Sequence, residues 1–292
     1  MAQNYVFMTD SDSDLPFSIA DAKNIPVVKM PYTLDGVEYF DDNGRSGAEK
    51  RLFQRMREGS APSTSLLPTA AYLEYFEPIL QEKDLLFVAF SSEMSATIQN
   101  VYAAQQELKE KYPERKFIVV DTLSICYPMT LLILGAHELY EQGAPMEEVA
   151  QWIMDNRLRA NAWFIVDDLV YLKRGGRVSS TSAFVGSMLD IKPILALSRA
   201  GKIEAAAKVQ GRKKAMRHLA DKTAELIENA ENQDVLVVHA DAEASANELA
   251  GMIKTKLPQV RSIALNMIGP VIGAHCGPGT LCVAFMGKER PL

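Results

Sequence analysis

The sequence is poor in the residue types that mark several common functions. It has three cysteines in 292 residues, Cys126, Cys276 and Cys282, and no two of them form a C-x-x-C pair. Odd in number and scattered, they provide no disulfide framework. With the four histidines they provide no zinc-ligand spacing either. No metal is expected, and reduced thiols fit a cytoplasmic location. Basic charge is scarce as well: 31 Lys and Arg stand against 37 Asp and Glu, a formal net charge of −6. Such a chain repels a phosphate backbone on average, which argues against nucleic acid as a partner. No uninterrupted apolar run approaches the ~20 residues that a membrane-spanning helix needs. The opening residues, Met1 to Asp12, have neither the basic nor the apolar stretch of a secretory signal.

Familiar catalytic signatures are missing too. There is no G-x-x-x-x-G-K-[ST], no G-x-G-x-x-G after a strand and no G-x-S-x-G elbow. Ser92, then Asp121 or Asp168, then His275 do follow the order of a hydrolase triad. A serine-type hydrolase using Ser92 and His275 is therefore the alternative enzyme reading. Without the elbow it carries little weight, because such residues fall in some such order in most chains.

What is present is a globular mix, 48% hydrophobic and 23% charged, with core to spare for a ligand. At this length two cores are more natural than one. Apolar runs alternate with helical patterns, as in buried strands joined by crossover helices. In the first half, strands are predicted at Tyr5 to Thr9, Ile25 to Tyr32, Leu85 to Phe90, Phe117 to Val120 and Trp163 to Val166. Further on they are predicted at Pro193 to Leu197, Ile203 to Val209, Val235 to His239, Ser262 to Met267 and Thr280 to Met286. The clearest helical patterns are Ser46 to Glu58, Ala70 to Gln81, Ser95 to Lys111, Pro145 to Arg159, Lys213 to Asn229 and Glu243 to Leu257. Ile194 to Leu197 and Ile203 to Val209, joined by Ser198 to Lys202, read as a hairpin, so the second half is expected to be mixed. The fold class is α/β: two α/β domains, 1–160 and 161–292, with a mostly parallel sheet in the first and a mixed sheet in the second.

In open α/β sheets ligands bind beyond the carboxyl ends of the strands. Those ends are rich here in short polar residues: Thr9-Asp10-Ser11-Asp12, Ser91 to Thr97, Asp121-Thr122 and the loop Ser60 to Ser65. Singly, Ser91, Ser92 and Ser95 read as helix N-caps. Their convergence on one side of a sheet points to an anion site. His275, among Gly273, Gly277 and Gly279, reads equally as a donor to a carboxylate or as a residue satisfied within a tight turn. Cys276 beside it reads as packing, His137 lies on an apolar helix, and His218 and His239 read as structural or solvated. Lys173, Arg174 and Arg177 flank Gly175-Gly176. They are either a solvated loop or cations presented on a turn to a phosphate or an acidic partner.

Taken in order, these features resemble the DegV family of bacterial fatty-acid-binding proteins over nearly the whole chain. The resemblance rests on Thr9-Asp10-Ser11 with Asp14-Leu15-Pro16, Ile25 to Val28, Thr64-Ser65, Ser91-Ser92 with Ser95 and Thr97, and Val120-Asp121-Thr122. It continues through Tyr171 to Ser179, Ile191 to Ile194, and His275 with Gly277 to Thr280. Two positions depart from the family pattern: Ala96 stands where glycine is usual, and Gln210 where arginine is usual. The resemblance implies one long-chain fatty acid, such as palmitate, stearate or oleate, buried between two α/β domains. Its carboxylate would be held by Thr64, Ser65, Ser92 and His275, with Ser95 beside them. It also implies a non-catalytic subunit of a fatty acid kinase, whose separate ATP-binding partner forms the acyl phosphate. Arg174 and Arg177 would then steady phosphate or dock that partner. Burying ~15 methylenes is worth on the order of 12 kcal/mol before entropic costs, which makes such a ligand physically sensible.

Overall fold

The computed structural model describes residues 4–177 and 191–292. Val178 and Ser179 of the basic motif lie outside the described residues. The first half begins with β1 (Tyr5–Asp10), α1 (Phe17–Ala22), β2 (Val27–Val28), β3 (Pro31–Leu34), β4 (Val37–Phe40), α2 (Ala48–Arg57) and β5 (Ser63–Thr64). It continues with α3 (Thr69–Leu80), β6 (Asp84–Ala89), α4 (Thr97–Lys111), β7 (Phe117–Asp121), α5 (Cys126–Glu141) and α6 (Met146–Asn156).

Four of these strands form a parallel sheet in the order β2-β1-β6-β7. The continuous apolar run of β6 is buried on both faces, as a central parallel strand must be. Leu85 and Phe87 pack with Tyr72 and Phe76 of α3 and with Ile98 and Val101 of α4. Leu86 and Val88 point the other way, to Met129 and Ile133 of α5 and Val149 and Ile153 of α6. The period of two thus divides the helices into two layers. A small antiparallel sheet, β4-β3-β5, stands beside this core.

The second half comprises β8 (Ala160–Ile165), α7 (Val170–Gly175), β9 (Ile191–Leu197), β10 (Ile203–Gln210), α8 (Arg212–Leu226) and β11 (Asp234–His239). It ends with α9 (Glu243–Lys256), β12 (Ser262–Met267), α10 (Pro270–Cys276) and β13 (Leu281–Met286). Its sheet runs β10-β9-β8-β13-β11-β12 and is mixed, as expected. Only β11 and β12 pair in parallel, and the expected β9–β10 hairpin is antiparallel with a bulge between Ala205 and Ala207. Trp163 and Ile165 of β8 face Leu219 of α8 and Leu249 of α9. Ala162 and Phe164, one residue out of phase, face the opposite side, toward the first sheet and a cavity.

Several expectations are corrected. Ile25 to Tyr32 is not one strand: Met30 gives its N–H to Ser11 Oγ (3.0 Å), so the chain leaves the parallel sheet after β2 and enters the small sheet as β3. The Gly175-Gly176 pair does not hold an open basic turn. Lys173 and Arg174 occupy the last turn of α7, and Gly176 (φ 69°) is its left-handed stop. His275 sits in a helix, α10, started by Pro270 and stopped by Gly277. The apolar helix expected around His137 is α5, whose bounds the sequence does not mark. Its apolar residues run nearly all round, so no stripe marks it.

Candidate functional site

Between the parallel sheet and the inner face of β8, β9 and β13 lies a cavity of about 280 Å³. Its walls are apolar: Phe90 and Met94 beyond β6, Ile125 and Pro128 at the start of α5, Phe164, Leu197, Ile203, Ile268 and Val271 among them. All three cysteines of the chain line it. Burial pushes each thiol up, Cys276 to about 12, so they present as neutral wall atoms rather than nucleophiles. Among the described residues the polar lining is Asp12, Thr64, Ser65, Ser95, Arg177, His275 and Thr280. Ser65 and Leu66 line it while exposed to solvent, so they mark its mouth.

Four separate elements bring the polar residues together. Thr64 ends β5, and its Oγ1 lies 2.8 Å from Nε2 of His275 on α10. Ser95 precedes α4 and accepts the Thr97 N–H at 3.2 Å. Arg177 follows α7. Its Nε donates to the Met94 carbonyl at 3.2 Å and its Nη1 to Gly175 O. Gly175 is a necessity of space, since a Cβ there would stand 2.3 Å from His275 Nδ1. Burial first, and then the Arg177 charge, pulls the His275 pKa down to about 4. The imidazole is therefore neutral at pH 7, with one N–H to give. A neutral imidazole, the hydroxyls of Thr64, Ser65 and Ser95 and a guanidinium lining an oily cavity can bind a single carboxylate and shield its alkyl chain.

Of the residues singled out in the sequence, Thr64, Ser65, Ser95, His275 and Arg177 line this one cavity. Ser92 is not among the lining residues: it lies past the bend after β6, where its N–H is held by Asp121 Oδ1 at 3.3 Å. Arg174 is exposed, with its guanidinium 5.8 Å from the Tyr171 ring centre. The serine-hydrolase alternative finds no support, since His275 is engaged with Thr64 and Ser92 stands off the cavity. Ala96 has φ −73°, ordinary for any L-residue, so its methyl in place of glycine strains nothing. Among the described residues no group of three or more His, Cys, Asp or Glu is placed to hold a metal, and no helix is long and apolar enough to cross a membrane.

The sequence reading did not single out Asp12 as a binding residue, although it belongs to one of the polar strand ends. Among the described residues it is one of four buried carboxyls, with Asp10, Asp14 and Asp41. Burial raises all four, Asp10 and Asp41 to about 7 and the other two well above the ordinary range. A raised carboxyl contributes stability that is complete below its unfolded value, 3.8 here, and lost as pH rises through its folded value. His275 acts in the opposite sense, losing its contribution as pH falls from 6.5 toward about 4. His137, His218 and His239 are lowered by burial too, so all four imidazoles oppose the four carboxyls below pH 6.5, and above it the carboxyls act alone, at about 1.4 kcal/mol per pH unit between the two values of each group. The urea midpoint of the ligand-free protein is expected to fall from about pH 6.5 to about pH 8. A midpoint that climbs over that range would mean the carboxyls are ionised in the fold.

The family described as "Uncharacterised protein, DegV family" matches residues 5–288. A DegV domain-containing protein of Clostridium perfringens is 37% identical over 289 residues, covering 99% of each chain. Two solved structures share the fold. One, described as showing fatty acid binding of a DegV family protein from Thermus thermophilus, has a TM-score of 0.87 at 29% identity and covers 97% of this chain and 100% of its own. The other is Bacillus subtilis DegV, described as a fatty acid binding protein, with a TM-score of 0.80 at 26% identity, covering 98% and 100%.

Proposed function

This chain belongs to the DegV family, and from that premise we propose that it is a carrier: it binds one long-chain fatty acid in the cavity and presents the carboxylate to a separate ATP-binding kinase subunit. The carrying observation is the Thr64–His275 pair at 2.8 Å, set among the few polar residues that line a largely apolar cavity. The two similar structures named above are described as fatty-acid-binding. The alkyl chain lies along Phe90, Ile125, Phe164, Leu197 and Ile203, and the head group meets Thr64, Ser65, Ser95 and His275. Arg177 steadies the phosphoryl group and exposed Arg174 offers the kinase a contact. The protein itself makes and breaks no covalent bond, needs no cofactor, works in the cytoplasm, and holds its ligand between domains 1–160 and 161–292.

Solvent extraction of protein purified from cells, followed by mass spectrometry, is expected to release a palmitate-, stearate- or oleate-class acid in about equimolar amount. Thr64→Val and His275→Ala are each expected to weaken palmitate binding roughly 10-fold, the worth of a charge-assisted hydrogen bond. Ser92→Ala, off the cavity, is expected to bind as the wild type does. Lipid-free protein that ignores added palmitate and oleate would remove the carrier reading. Incubation with a DegV-partner kinase and ATP, assayed for hydroxylamine-trapped acyl phosphate, tests the second half of the proposal.

A further inference from the structure

β1 ends at Asp10, and the chain turns at once through a single 3-10 turn, Ser11–Ser13. β1 and β6 are hydrogen-bonded parallel neighbours, so this turn and the Met94–Ser95 bend emerge side by side at the carboxyl end of the sheet. Asp12 sits in the middle of the turn, pinned by its own N–H to Asp10 Oδ1 at 3.1 Å. Its side chain lines the cavity yet is only 4% exposed. Oδ1 has no hydrogen-bond partner among the described residues.

A carboxyl in that position has two possible states, and its surroundings choose between them. The charges that act on it are the carboxyls of Asp10, Asp41 and Asp14 on one side and the single guanidinium of Arg177 on the other. Three like groups and a dry environment against one cation favour the neutral acid. An un-ionised carboxyl carries an O–H donor, and a buried donor without an acceptor is costly to maintain. The ligand proposed above brings the missing acceptor: a carboxylate oxygen. Asp12, Arg177 and His275 line the same cavity, and the Arg177 charge is felt by both of the others.

We propose that Asp12 completes the head-group cradle, donating a hydrogen bond from its un-ionised carboxyl to the carboxylate of the bound fatty acid. This rests on the carrier reading and adds to it an acid-to-carboxylate contact alongside the hydroxyl and imidazole contacts. It makes the cradle selective for ligands that end in an anion. An alcohol or methyl ester of the same chain fills the cavity but accepts weakly from Asp12.

The test compares palmitate with hexadecanol on the wild-type chain, Asp12→Asn and Asp12→Ala, each checked for folding by its thermal melt. Asparagine keeps the shape and a donor, so Asp12→Asn is expected to hold palmitate within a few-fold of wild type. Alanine removes the donor, so Asp12→Ala is expected to bind palmitate roughly 10- to 100-fold more weakly while hexadecanol binding is unchanged. Palmitate binding that tightens in both variants would show an ionised, repelling Asp12 and overturn the proposal. Equal palmitate affinity in all three proteins would overturn it as well, because Asp12 would then not touch the head group. A parallel loss of palmitate and hexadecanol in Asp12→Ala would assign Asp12 to the cavity's shape and reject the head-group contact. If palmitate fails to bind even the wild type, the carrier reading falls first and this proposal with it.

Discussion

Arg290→Met is expected to destabilise the fold by roughly 4 kcal/mol, the largest single-site effect on stability anticipated here. Arg290 is 1% exposed, and among the described residues no carboxylate pairs with it. Its guanidinium instead gathers five acceptors from distant segments. Nη1 donates to Leu123 O (2.7 Å) and Ser198 O (3.0 Å), Nη2 to Ser124 Oγ (2.6 Å) and Arg157 O (2.9 Å), and Nε to Ala160 O (2.9 Å). Burial, and to a lesser degree Arg157, lowers its pKa to about 9, which still leaves it charged at pH 7. Methionine matches the apolar stem but strands those acceptors in a dry site, each at about 1 kcal/mol or more. The segment it holds is a strained one: Leu123 has φ 46° and Cys126 φ 51°, left-handed values that side chains other than glycine resist. Arg290→Lys keeps the charge but brings three donors where five N–H groups were available. It is expected to fall between wild type and Arg290→Met in urea midpoint. Wild-type stability in Arg290→Met would mean that water replaces the guanidinium at no cost.

The second large effect is on binding. Ala162→Phe is expected to abolish palmitate binding, at least 100-fold or about 2.7 kcal/mol, without lowering the melting temperature of the ligand-free protein. Ala162 is 5% exposed on β8, and its side chain faces the cavity beside Phe164 and Cys282. A phenyl group there occupies space that the alkyl chain requires. In the empty protein the ring fills a void rather than overpacking a solid core, so the usual penalty for a small-to-large change does not arise. Titration calorimetry with palmitate and a thermal melt read the two halves separately. Unchanged palmitate affinity would show that the ligand runs elsewhere. A collapsed melt would show that β8 has no room behind Ala162.

Much of the architecture was legible because apolar runs longer than four residues cannot be left in water. β1, β6, β7, β8 and the strands of the second sheet fall where those runs fall. The failures have specific physical causes. Met30 gives its N–H to a side chain rather than a ladder, and that breaks an apolar run whose residues look uniform. β4 was passed over although its signal was present: Asp35-Gly36, with φ 52° and 79°, is a two-residue hairpin turn that leads from β3 into β4. The stop and start signals of α10, Pro270 and Gly277, were likewise there but were outvoted by the neighbouring glycines.

The site was legible by residue type more than by position. Hydroxyls at strand ends pointed to an anion site, while the late histidine read equally as a donor to a carboxylate or as a residue satisfied within a turn. Yet the choice among Ser91, Ser92 and Ser95 depends on how the chain bends after β6, and that bend is set by Ser91 Oγ donating to Gly201 O at 2.9 Å, a contact between residues 110 positions apart. Arg174 and Arg177 differ for a similar reason, because the left-handed step at Gly176 turns one outward and the other inward. Neither choice is encoded locally.

The pairing of Thr64 with His275 spans 211 positions, and this distance along the chain has a consequence for synthesis. A polypeptide emerging from a ribosome has made most of its cavity wall long before the imidazole, Cys282 and the Arg290 clasp leave the exit tunnel. Contacts so far apart form late and slowly, because the intervening segment must first be organised. The pair proposed to hold the carboxylate is therefore completed only after the 211 positions between its two members have been made and organised.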